Sequence, residues 1–167
     1  LVRRGSEHNL ERLRTSGVVF RHGDVRCPED WHGLNADFVV EAAAQPSAID
    51  GYDNPTFDFS NNTIGVLRAL EFCRSKGAGI VFFSTNKSYG VRAVNDRAII
   101  RTANRYECSE PVNELCPLDG GDRSLYGCSK VMADLMIQEW ADAFQMPAII
   151  NRFSCLAGEW QWGKVAQ

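Results

Sequence analysis

Tyr126-Gly127-Cys128-Ser129-Lys130 sets a phenol and an ammonium four residues apart, a spacing that puts both on one face of a helix. An isolated tyrosine has a pKa of about 10 and is a poor base at neutral pH. A cation within about 4–6 Å stabilises the phenolate, lowers that value and brings the tyrosine into range for proton exchange with a hydroxyl. At this composition chance alone produces such a spacing about one time in ten, so the pair takes its meaning from its neighbours. Ser84 and Thr85 fall at the end of the apolar run Gly79–Ser84, and open α/β sheets gather their ligands where buried strands end. A hydroxyl there can bond the same substrate oxygen that Tyr126 deprotonates. Taken alone, Thr85 reads first as a cap or turn hydroxyl.

These side chains need elements to hold them. Leu125–Phe144 carries Met132, Leu135, Met136 and Trp140 at helical spacing, with Pro147 just beyond, and predicts the helix that bears the Tyr–Lys pair. Gly79–Ser84 (GIVFFS) predicts the strand that delivers Thr85. A second helix is predicted over Pro55–Lys76, with Ile64, Leu67, Leu70 and Phe72 along its body and Gly77 at its close. Ala36–Ala43 (ADFVVEAA) predicts another strand, Ala148-Ile149-Ile150 the last, and Val18-Val19-Phe20 an early one entering a turn at His22-Gly23-Asp24. Near-continuous apolar strands are those covered on both faces. Ser6–Ser16 predicts a short helix capped by Ser6, with Leu10 and Leu13 on one face and Gly17 at the stop. Gly90–Arg123 is polar and turn-rich, and predicts a loop. The alternation implies an α/β fold: a Rossmann-like, doubly wound parallel sheet with helices on both faces.

Composition narrows the function. The 167 residues suit one domain, with 44% hydrophobic and 23% charged residues, as in ordinary globular chains. A net charge of −3 with interspersed signs argues against nucleic acid or an anionic membrane as partner. No apolar run is long enough to span a bilayer. The six cysteines are scattered without a C-x-x-C pair, which favours reduced thiols and a cytoplasmic setting over a zinc site or a disulfide framework. No G-x-x-G-x-x-G is found, so the expected sheet lacks its first strand and the Gly-rich turn for a dinucleotide pyrophosphate. Residues 1–167 are expected to form a partial Rossmann-like domain, truncated at both ends.

Phe83-Ser84-Thr85-Asn86-Lys87-Ser88-Tyr89-Gly90, followed by Ser124-Leu125-Tyr126-Gly127-Cys128-Ser129-Lys130, resembles the paired signature of the extended short-chain dehydrogenases that act on nucleotide sugars. Those enzymes carry S-[ST]-x-x-x-Y-G at one strand end and Y-x-x-x-K on the next helix. Three further segments keep the family's order. His22-Gly23-Asp24-Val25-Arg26 resembles its H-G-D-[IVL]-R turn, Glu41-Ala42-Ala43-Ala44-Gln45 its H-x-A-[AG]-Q segment, and Asn62-Thr63-Ile64-Gly65 its N-x-x-G helix start. Within the family, Thr85-Asn86-Lys87, Asn104-Arg105-Tyr106, and the tail from Ile150-Asn151-Arg152 to Trp160-Gln161-Trp162-Gly163-Lys164 look most like the CDP-paratose (tyvelose) 2-epimerase subgroup.

The resemblance implies that residues 1–167 form a partial NAD-binding Rossmann domain without the family's C-terminal substrate-binding part, with NAD as cofactor, a nucleotide-sugar substrate and a homodimer packed through the Asn62 and Tyr126 helices. Tyr126 would exchange the proton of a sugar hydroxyl, Lys130 would hold the nicotinamide ribose and lower the Tyr126 pKa, and Thr85 would orient the hydroxyl. Asp24 and Val25 would lie by the adenine, and Ala42, Ala43, Ala44, Gln45, Asn62, Ser84 and Ser154 along the cofactor. Asn86 and Cys155 would face the sugar. Four plainer readings stay open: Asp24 as a turn residue, Asn62 as a cap or a bridge between loops, Ala42-Ala43-Ala44 as helix–strand packing, and Arg3, which the resemblance would bring to the adenosine ribose, as a solvated side chain. The chain departs from the pattern at Glu41, where the family has His, and at Ser88, where it has Val. Dehydratases carry Asp-Glu directly after the Thr, where Asn86 and Lys87 occur here, so an epimerase is favoured. The alternatives are a dehydratase or reductase on the same scaffold, or a dinucleotide-binding module without catalysis.

Overall fold

A computed structural model describes residues 7–158. Helix α1 (His8–Thr15) ends where Gly17 takes a φ of 81°; the expected cap Ser6 lies outside the described residues. A 3-10 turn at Pro28–Trp31 precedes strand β1 (Phe38–Glu41). Three helical pieces follow nearly end to end: α2 (Ala48–Asp53), α3 (Pro55–Phe59) and α4 (Gly65–Lys76), with a π-helical turn at Ser60–Ile64 joining the last two. Strand β2 (Gly79–Thr85) leads through a 3-10 turn, Asn86–Ser88, into α5 (Val91–Asn95). Strands β3 (Ile99–Arg101) and β4 (Tyr106–Cys108) pair antiparallel, and α6 (Leu125–Phe144) and β5 (Ala148–Phe153) complete the described chain.

Strands β1, β2 and β5 form a parallel sheet in the order β1-β2-β5. Its register sets Glu41 opposite Phe82, and Ser84 opposite Arg152. Both crossovers advance in the same direction across the sheet, and right-handed crossovers then put both helices on one face. There α4 supplies Val66, Ala69, Leu70, Phe72 and Cys73, and α6 supplies Ala133 and Ile137, all buried with Ile80 and Phe82 in one core. Burying a leucine such as Leu70 contributes roughly 1.5–3 kcal/mol, and α4 ends cleanly at Gly77, φ 67°.

Four expectations need correcting. Val18-Val19-Phe20 forms no strand: the segment has no ladder partner among the described residues, and Val18 N–H instead bonds the Leu13 carbonyl at 3.0 Å. The strand expected over 36–43 is only four residues long, because the Glu41 carboxylate takes Ala43 N–H at 3.0 Å and turns the chain out of the ladder. Nor are the strands covered on both faces within residues 7–158, since Phe38, Val40 and Ile149 remain 60%, 62% and 57% exposed. The segment 90–123 is more than a loop, holding α5 and a hairpin closed by Thr102 and Arg105. Three-residue strands are too short to display alternation.

Candidate active site

Ser124 starts α6 by accepting a hydrogen bond from Gly127 N–H at 3.0 Å, an N-cap that fixes Tyr126 in the first turn. Gly127 lies so close to the Lys87 carbonyl that no Cβ would fit between them. The helix start is thereby pressed onto the turn that follows β2. Across that contact the Thr85 side chain acts on the buried Tyr126 phenol, and Thr85 Oγ1 accepts Lys87 N–H at 3.3 Å. The two residues that the sequence pairs over forty positions do meet. Burial raises the phenol's pKa above its ordinary value, the Thr85 side chain opposes that rise, and the Asp58 carboxylate adds to it.

Lys130, one turn along the same face, is almost fully buried, with Nζ 4.0 Å from the centroid of the Phe82 ring. Burial draws its pKa down to about 8, against the upward pull of Glu41, Asp134 and Asp58. The expected lowering of the Tyr126 pKa is therefore not met in this state. The ammonium rests on an aromatic face among three carboxylates, while the phenol feels burial most, then Thr85 and then Asp58.

A buried hydrogen-bond network underlies the pair. Asp58 accepts from Gln45 Nε2 at 2.7 Å and from the Ser129 hydroxyl at 2.5 Å. Asn62, set in the π-helical turn, accepts from Gln45 N–H at 2.8 Å and donates to the Gln45 carbonyl at 3.0 Å and to Ser129 Oγ at 3.1 Å. Of the readings left open, Asn62 is thus the bridge between loops. The Gln45 side chain turns inward to Asp58 and the Ser47 backbone. Ser84 likewise faces α6, donating to Asp134 at 2.9 Å and meeting Ser88 Oγ at 3.3 Å. Ser88, where the family has Val, thus adds a hydroxyl to this buried network. Asp134, wholly buried, is forked by Arg152 at 2.9 and 3.0 Å.

The remaining candidates lie on the surface around this centre. Asn86 and Ser154 line a cleft of about 620 Å³ together with Tyr89, Val112, Gln138 and Arg152. Cys155 is exposed beside Ser154, just past β5. Ala42 and Ala43 are exposed just past β1, with Ala44 half-buried, leaving the backbone open to approach. Asp24 and Val25 line a smaller cavity of about 220 Å³ with His22 and Trp31. The Asp24 carboxylate is occupied by Arg26 at 2.6 Å, which holds its pKa down to about 2. Small exposed residues at one strand end, a phenol–hydroxyl pair at the next and a cavity flanking them fit a dinucleotide laid across the sheet edge.

Asp58, Ser129, Asp134 and Arg152 were not singled out from sequence. Signals existed: Asp134 follows Lys130 by four and shares its face, and Asp58 precedes Asn62 by four. All six cysteines are free, and among the described residues no helix is long and apolar enough to cross a membrane and no cluster could hold a metal.

The chain is similar to the CDP-paratose 2-epimerase of Salmonella typhi, at 32% identity over 177 aligned positions that cover 100% of the chain and 51% of that protein. It is 29% identical to a dTDP-glucose 4,6-dehydratase of Mycobacterium tuberculosis, over 75% of the chain and 34% of that enzyme. It thus spans about half, or less, of the length of these relatives. In fold it resembles the UDP-Glc/GlcNAc 4-epimerase of Campylobacter jejuni, with a TM-score of 0.72 at 23% identity over 90% of the chain and 43% of that structure. The sequence profile described as the NAD dependent epimerase/dehydratase family matches residues 1–166. The signature residues, the parallel sheet and this match agree: the chain belongs to the NAD dependent epimerase/dehydratase family.

Proposed function

We propose that the complete protein is a nucleotide-sugar epimerase that transiently oxidises a sugar hydroxyl with bound NAD, as a CDP-paratose 2-epimerase-like enzyme. The reading rests on one observation above all, the docking of the helix turn that bears Tyr126 onto the turn after Thr85 at the end of β2, with both side chains buried. NAD supplies a reversible two-electron acceptor for hydride. Asp24 and Val25 would hold its adenosine end, the open backbone of Ala42, Ala43 and Ala44 would let it approach, and Lys130 and Ser154 would hold the nicotinamide end. Gln45, Asn62 and Ser84 act by fixing the loops and the helix around it. Thr85 orients the sugar hydroxyl, and Tyr126 takes its proton and later returns it. The phenol's pKa lies above its ordinary value, and a positive charge such as that of Lys130 one turn along the helix opposes that rise. Asn86, which lines the 620 Å³ cleft, and Cys155, next in the chain to the lining residue Ser154, face the sugar. Asn86 and Lys87 follow Thr85 without the acid pair needed to expel water, which favours epimerisation over dehydration. Exposed Leu125, Met132 and Leu135 on α6 support a homodimer packed through that helix.

The test is product analysis by the full-length protein with CDP- and dTDP-linked hexoses. An inverted stereocentre without net consumption of NAD(H) is expected; a keto-deoxy product would replace the reading with a dehydratase, and net oxidation of NAD(P)H with a reductase. Replacing Tyr126→Phe should cut turnover at least about 100-fold, and unchanged turnover would remove the catalytic assignment.

A further inference from the structure

Three carboxylates act on the Lys130 ammonium: Glu41 from the end of β1, Asp134 from α6 and Asp58 from α3. Two are already satisfied. Asp134 accepts from Arg152 at 2.9 and 3.0 Å, from Ser84 at 2.9 Å and from Gln138 at 2.8 Å. Asp58 accepts from Gln45 at 2.7 Å and from Ser129 at 2.5 Å. Glu41 differs. It is 4% exposed, one oxygen takes Ala43 N–H at 3.0 Å, and its Oε2 is buried without any hydrogen-bond partner. Leaving a buried carboxylate oxygen unpaired is costly unless a positive charge offsets it. The register supplies one: Glu41 is paired across the ladder with Phe82, and the Lys130 ammonium lies on the Phe82 ring. Acid and base thus flank one aromatic side chain.

We propose that Glu41 is the counter-ion of Lys130, a positioning residue that keeps the ammonium charged and poised over Phe82 beside the Tyr126 pair. A histidine at this position, as in the family pattern, cannot offer a negative charge, so this chain secures its lysine differently. The electrostatics agree in direction: burial pushes Glu41 up to about 7 against the Lys130 charge, and Lys130 down to about 8 against Glu41. The other groups facing Lys130 are Asp134 and Tyr126 on its own helix and Asp58 on α3, with Arg152 of β5 neutralising Asp134. As pH rises through about 7, Glu41 ionises and supports the ammonium. Without that carboxylate, burial pulls the lysine lower still. The inference rests on the proposed function only for why a charged Lys130 matters.

The test follows Lys130 itself in the full-length protein labelled with 13Cε-lysine, its signal assigned by its loss in Lys130→Met. The wild-type signal should titrate near pH 8 with a smaller inflection near 7 from Glu41. In Glu41→Gln the midpoint should fall by about one unit or more, and Glu41→Asp should restore most of it. An unmoved midpoint in folded Glu41→Gln overturns the proposal. Should that variant not fold, the wild-type curve decides: the Glu41 inflection supports the pairing, and its absence overturns it. The alkaline limb of kcat/KM should move with the same midpoint. If Tyr126→Phe proves fully active, the epimerase reading fails while the titration still decides the Glu41–Lys130 pairing.

Discussion

The Tyr126 phenol is under three influences at once: burial, the Thr85 side chain and the field of Asp58. The last can be removed singly. Asp58→Asn keeps an acceptor for the Ser129 hydroxyl but sets an amide against Gln45 Nε2, so a stability loss of about 1–3 kcal/mol is expected in denaturant unfolding. With the carboxylate gone, the phenol's pKa should fall, visible as a downward shift in the tyrosinate absorbance titration once the Tyr126→Phe curve is subtracted. A phenol that titrates as before would show that Asp58 serves the fold and not the proton. Tyr126, Lys130 and Thr85 were legible as a set because their chemistry requires those residue types. Asp58 was not, and Glu41 stood out only as a departure from the family's His, since a carboxylate in a sequence reads as solvated until packing encloses it.

The docking of α6 against the turn after β2 depends on one missing methyl group. Gly127→Ala would drive a Cβ into the Lys87 carbonyl, a backbone atom that cannot rotate aside. The expected cost is about 1–3 kcal/mol of stability, read as a lowered Tm. Turnover should fall more than stability alone explains, because Tyr126 and Thr85 are held together by that same contact. A fully active, equally stable Gly127→Ala protein would contradict this account. Helix α6 was readable over its whole length because five turns of apolar spacing leave little ambiguity. The π-helical turn at Ser60–Ile64 was hidden inside an otherwise correct helix, since a single extra residue in a turn scarcely disturbs the periodicity. Yet that turn sets Asn62 where it bridges Gln45 and Ser129.

Across the whole molecule, Arg152 joins what the chain separates. It pairs with Asp134 on α6, its charge lies 5.3 Å from the Tyr89 ring centroid, and it donates to the Glu114 carbonyl at 3.3 Å. Arg152→Met would strand a wholly buried Asp134 carboxylate, at an expected cost of about 3–5 kcal/mol. Adding Asp134→Leu should recover much of that loss, because an apolar pair of similar size carries no stranded charge. A double variant no more stable than Arg152→Met alone would mean that the pair is not the unit of stability here. Measured as a double-mutant cycle in urea, the coupling between the two positions reports the result directly.

Residue type and spacing alone were enough for the alternating α/β plan, the long helix and its Tyr–Lys face, the Thr-bearing strand end and the family these mark. Those features are local: a periodicity, a cap, a hydroxyl one residue past an apolar run. Tertiary structure decided which charges share an interior. Strand register put Glu41 beside Phe82, crossover handedness laid α4 and α6 on one face, and together they enclosed Lys130 among carboxylates that lie 4 to 89 positions away in the chain. Burial and field depend on those distant neighbours, so the protonation of the site is a property of the fold, whereas its residue types are a property of the chain.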